Sequence, residues 1–223
     1  MRRLRDNSLG LVFGLLFLIV LAGQALAGHA DFNQQQITDG LEPISLARYV
    51  TSASFAVDVA ENWQSEYLQF FLYIFLTVWL VQRGSPESKP VGEQGRETDQ
   101  KQKIGRYADD DSPAWARVRG IRLWLFSNSL GLTMGLIFVG CWLAQSIAGV
   151  AAYNERQLAD LEDPISWAQY LRAPDFWNRT LQNWQSELLA VASMAILSIY
   201  LRQRGSSQSK PVGAAHTATG NEG

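Results

Sequence analysis

The 223 residues hold one cysteine, Cys141, and two histidines, His29 and His216. A lone cysteine excludes an intramolecular disulfide, and so few thiols and imidazoles leave no set at metal-ligand spacing. Nucleophile elbow, phosphate loop and dinucleotide fingerprint are missing as well. The expectation is a protein that is not an enzyme and carries neither cofactor nor metal. Charge of one sign is also lacking. The 19 Lys and Arg stand against 21 Asp and Glu, a balance that argues against nucleic acid as a partner. The acidic triplet Asp109, Asp110 and Asp111 lies in a polar stretch and reads as solvated.

Charge is absent altogether from two long runs. Leu9 to Ala27 and Leu123 to Ala152 are each long enough to cross a hydrocarbon core of roughly 30 Å at about 1.5 Å per residue. Tyr67 to Val81 and Leu188 to Leu201 are shorter, about 14 or 15 residues, and alone would be weak spans. Upstream of them stand Ser54 and Asp175, residue types that cap helix N-termini. The pattern therefore predicts a helix from Phe55 to Val81 about 40 Å long, with its counterpart in the second half. Pro43-Ile44-Ser45 and Pro164-Ile165-Ser166 predict short interfacial helices ending near Val50 and Leu171.

What the chain has in abundance is self-similarity. Asn7 to Gly92 aligns without a gap on Asn128 to Gly213 at an offset of 121, with roughly 38 identities in about 86 positions. Asn62-Trp63-Gln64-Ser65-Glu66 recurs as Asn183-Trp184-Gln185-Ser186-Glu187. Gln82-Arg83-Gly84-Ser85 and Ser88-Lys89-Pro90-Val91-Gly92 recur as Gln203-Arg204-Gly205-Ser206 and Ser209-Lys210-Pro211-Val212-Gly213. The expected fold is an all-α membrane protein with four transmembrane helices, arranged as two tandem parallel two-helix repeats with short interfacial helices outside. Its parts are a first membrane repeat over residues 1–92, a polar cytoplasmic linker over 93–120, a second membrane repeat over 121–213 and a disordered tail over 214–223.

Basic residues flank the runs on one side: Arg2, Arg3 and Arg5, then Arg83 and Lys89, then Arg117, Arg119 and Arg122, then Arg202, Arg204 and Lys210. The positive-inside rule makes these flanks, and both termini, cytoplasmic. Each unit crosses twice, so the two copies enter the bilayer in the same sense, about an axis along the membrane normal. The N-terminal stretch, with Ala25-Leu26-Ala27 before Gly28, also resembles a cleavable secretory signal. Its duplicate lies mid-chain as a span, and retention is the expectation for both.

Gly10 and Gly14, with Gly131 and Gly135, lie four residues apart on one helical face and mark a helix-packing seam. That face would suit the duplicate span, the second span of its own unit or another subunit, whether a second copy in a homo-oligomer or a membrane-protein partner. Counting back about 20 residues from Arg83 and Arg204 places Trp63 and Trp184 at the outer interface as anchors. Glu66 and Glu187 then fall roughly 5 Å inside the hydrocarbon edge, where a carboxylate needs a partner, water or a proton. A candidate polar cluster follows: Asn62, Glu66, Asn183, Glu187, Gln24 and Gln145. Such a cluster would bind a proton or cation; alternatively each carboxylate snorkels to the surface and only orients its helix.

With the repeat, the Asn-Trp-x-Ser-Glu signature and the closing Gln-Arg-Gly-Ser string in view, nearly the whole chain resembles a family of small bacterial membrane proteins classed as a domain of unknown function. The resemblance implies an integral protein of the bacterial cytoplasmic (inner) membrane and brings no substrate with it. The first expectation is a non-enzymatic role in assembly, scaffolding or envelope maintenance, with the lipid bilayer as partner. The second is a small transporter or channel that uses the paired glutamates.

Overall fold

The uncharged runs become two 31-residue helices in the computed structural model, which describes residues 2–220. Among the described residues there are eight α-helices and no strand: α1 (Arg2–Asp6), α2 (Ser8–Thr38), α3 (Leu46–Val50), α4 (Ala53–Leu76), α5 (Ile121–Ser127), α6 (Ser129–Ala159), α7 (Trp167–Tyr170) and α8 (Pro174–Tyr200). The second uncharged run is interrupted at Asn128, whose side-chain amide donates to Trp124 O at 2.7 Å, so α5 and α6 are separate.

Among the described residues two helices, α2 and α6, are long and apolar enough to cross a membrane, against the four expected from the sequence. The apolar stretch of α2 has no buried residue, and that of α6 is only 17% buried. Helix α4, at 24 residues, and α8, at 27, have the length without the same apolarity. Helix α4 also starts and ends early. Ser52, not Ser54, caps it, accepting from Phe55 N at 3.2 Å. It stops at Leu76, short of Val81, where the Thr77 hydroxyl donates back to Tyr73 O at 2.6 Å and Gly95 N takes Val78 O at 2.7 Å. Likewise α8 opens on Pro174 in its first turn, a position that needs no N–H donor.

The chain divides into two compact units. The first contains residues 1–60 and 143–176. Here the same fastening is used twice, 121 residues apart. The Asn33 side chain brackets Ile44, accepting from its N–H at 2.8 Å and donating to its carbonyl at 3.0 Å. Asn154 does so for Ile165 at 2.8 and 2.9 Å. Ser45 and Ser166 then cap α3 and α7, the short helices that the sequence predicts to start there. Each bracket folds the chain back so that a buried tyrosine meets the long helix. Tyr49 sits between Phe32 and Phe55, with ring centroids at 5.5 and 5.4 Å; Tyr170 sits between Tyr153 and Phe176, both at 5.6 Å. His29, without a histidine twin, has Nε2 2.6 Å from Ile44 O, a structural contact. Trp167 adds a tie of its own, donating to Ser146 Oγ at 3.0 Å.

The second unit contains residues 61–142 and 177–223. There the glycine seam of α6 is filled: a Cβ at Gly135 would stand 3.1 Å from the Phe71 ring, and one at Gly131 would stand 3.8 Å from Ile74. A Cβ at Gly10 or Gly14 would meet nothing within 4 Å.

Tyrosine against glycine makes a testable contrast. A Cβ at Gly149 would fall 2.6 Å from the Tyr170 hydroxyl oxygen, and one at Gly28 would collide with that of Tyr49. Gly28→Ala and Gly149→Ala are expected to cost about 1–3 kcal/mol each by overpacking. Gly10→Ala should leave the thermal unfolding of the detergent-purified chain unchanged or raise it.

Candidate functional site: the repeated Asn-Trp-Gln-Ser-Glu motif

The motif lies in the second unit on α4 and α8. Helical geometry presents its five residues to different sides, and burial falls on the middle of the first copy. Gln64 and Ser65 are fully buried, whereas Asn62 and Glu66 are exposed. The Trp184 indole N–H donates to Gln64 Oε1 at 2.8 Å, so the motif's second copy bonds to its first. Around that bond stand Phe138, Trp142 and Trp177. Trp142 lies 5.8 Å from the Trp184 ring and 6.1 Å from the Trp177 ring. Gln64 Nε2 has no partner among the described residues. Three residues before Gln64, Glu61 accepts from Arg179 Nε at 2.6 Å in a largely buried ion pair.

The six residues of the expected polar cluster are divided between the two units. Gln24 and Gln145 belong to the first, where Gln145 is fully buried and Gln24 partly so. In the second, Asn183 donates to Arg179 O at 2.9 Å, a bond within its own helix. Glu66 lies within electrostatic reach of the half-buried Glu187. Of the two expected anchors, Trp63 is 39% exposed, while the polar end of Trp184 is turned to Gln64. Glu61, Gln64 and Arg179 were not singled out from the sequence. Gln64 was visible as a repeated residue, but its pairing with a tryptophan 120 positions away has no local signal.

The strings closing each repeat form matching loops. Gln82 N donates to Ser88 Oγ at 2.8 Å, and Gln203 N to Ser209 Oγ at 2.9 Å. Gly84 and Gly205 turn them with positive φ of 88° and 82°. The lysine that follows is used differently in each. Lys89 pairs with Glu97 at 3.2 Å and donates to Gly95 O at 2.9 Å. Lys210 is buried, its ammonium facing the carbonyls of Gly84 at 2.6 Å, His216 at 3.0 Å, Ala218 at 3.1 Å and Ala215 at 3.2 Å. Burial, then the Arg202 charge, push that ammonium below the usual lysine range. The carbonyls hold residues 214–220 against the first loop, and Gly220 N bonds Ser85 O at 3.1 Å.

Trp184→Phe removes the indole donor and leaves Gln64 Oε1 buried without it, a loss of about 1–3 kcal/mol. Trp63→Phe, at a partly exposed ring, is expected to cost less than half as much in the same urea or thermal unfolding series.

No curated protein and no solved structure matches the chain. A family model described as a domain of unknown function, DUF6766, matches residues 1–221. A match over that length makes the chain a member of the DUF6766 family.

Proposed function

We propose that the chain is an integral, multi-pass protein of the bacterial cytoplasmic membrane, with four spans, both termini cytoplasmic and a non-enzymatic role in assembly or scaffolding. The observation that carries the membrane reading is α2: 31 residues long, with Leu9, Phe13, Leu15 and Val20 each 60% exposed or more. Apolar surface of that extent requires lipid or another apolar partner. Helices α4 and α8 extend for about 36 and 40 Å at 1.5 Å per residue, so both reach across a hydrocarbon core of roughly 30 Å. The polar motif residues Asn62 to Glu66 and Asn183 to Glu187, within each helix, lower its apolarity.

The scaffolding reading is supported by what the repeated polar residues do. Asn33, Asn154, Ser45, Ser166, Gln64, Ser88, Ser209 and Lys210 each tie one piece of chain to another. Transport is the second reading, and the nearness of Glu66 to Glu187 favours it. Proton and cation flux into liposomes separates the two. The scaffold reading predicts flux at the level of empty vesicles, unaltered by Glu66→Gln with Glu187→Gln. Flux that the double substitution abolishes would establish transport instead.

A further inference from the structure

Within the second unit, the end of α4, the loop after it and α8 enclose a cleft of about 360 Å³, inside the roughly 300–1,000 Å³ range of ligand sites. Its walls are apolar, with Leu76 and Leu80 on one side and Leu188 and Val191 on the other. One end is polar, because the Tyr73 hydroxyl donates to the Glu87 carboxylate there.

Three observations single out this cleft. It borders the point where α4 unwinds at Thr77, while α8 continues to Tyr200, the equivalent of position 79. Its polar pair is private to the first copy: the offset of 121 sets Met194 against Tyr73 and Gln208 against Glu87. Finally, Glu87 is in no ion pair among the described residues. Lys89, two residues on, pairs with Glu97, and Lys210 is held by carbonyls. A carboxylate has about four lone-pair sites, and the Tyr73 hydroxyl occupies one while fixing the group in place. An unneutralised carboxylate at the end of an apolar cleft complements a cation joined to an apolar chain.

We propose that the cleft binds a phospholipid with a primary-amine headgroup, its ammonium on Glu87 and an acyl chain along Leu76, Leu80, Leu188 and Val191. The site rests on the chain lying in a bilayer, from which the lipid enters.

The full chain, purified in mild detergent, is titrated with phosphatidylethanolamine and with phosphatidylglycerol, and bound lipid is counted by native mass spectrometry. The amine lipid should bind more tightly. Glu87→Gln should weaken it by about tenfold, the loss of one charge-assisted hydrogen bond, and leave phosphatidylglycerol unchanged. Glu93→Gln, at an exposed ion pair in the linker, should change neither. Equal binding of the two lipids by the unaltered chain would overturn the proposal, and that comparison decides even if a variant fails to fold. Full retention of the amine lipid by folded Glu87→Gln would overturn it too. A chain that stays monodisperse without detergent and binds neither lipid would overturn the membrane reading along with the site.

Discussion

A peptide group removed from water has to find its hydrogen bonds within the protein, and in lipid that requirement admits no exception. Helices α2 and α6 meet it along their own length. Where the chain leaves a helix, side chains take over. Asn33 and Asn154 serve both polar groups of an isoleucine, Ser45 and Ser166 cap the next helix, and Ser88 and Ser209 receive a backbone N–H of each closing loop. Lys210 does the same for four carbonyls at once. Several of the residues that recur between the copies are those that satisfy backbone.

Aromatic packing then gives these brackets their geometry. Tyr49 and Tyr170 are almost wholly buried, each between two rings and against a glycine of the long helix. Glycine at 28 and 149 is a matter of space. At Gly84 it is also a matter of backbone, because φ is +88° and the His216 carbonyl lies against it. The two copies have not kept every tie. Trp167 with Ser146, and Glu61 with Arg179, have no counterpart pair, since the offset sets Leu46, Ala25, Gln182 and Asp58 at those places.

The parts of the fold legible in the sequence are those set by short-range chemistry. The uncharged runs marked α2 and α6, and Pro-Ile-Ser marked α3 and α7 to within a residue or two, because a serine cap acts on its own next turn. The end of α4 was not legible: it depends on a Thr77 hydroxyl bond and on Gly95 reaching back from the linker. Nor were the contacts of residues 214–220, which rest on a lysine whose carbonyl partners are distant in sequence or lack any motif. In the motif, reading by charge drew attention to Glu66 and Glu187, whereas the interior of the second unit is occupied by Gln64, Ser65 and the ring of Trp184. Asn33 and Asn154 offered a signal that was passed over: an identical polar residue in both copies, eleven positions before the same isoleucine.

The proposal that both hairpins enter lipid in the same sense is tested most directly at the turns after α2 and α6. With Cys141 replaced by alanine, single cysteines are placed at Asp39 and Asp160, both exposed, and intact cells are treated with a membrane-impermeant thiol reagent. The account predicts that both sites are labelled from outside. Labelling of either site only after the cytosol is opened to the reagent would contradict it.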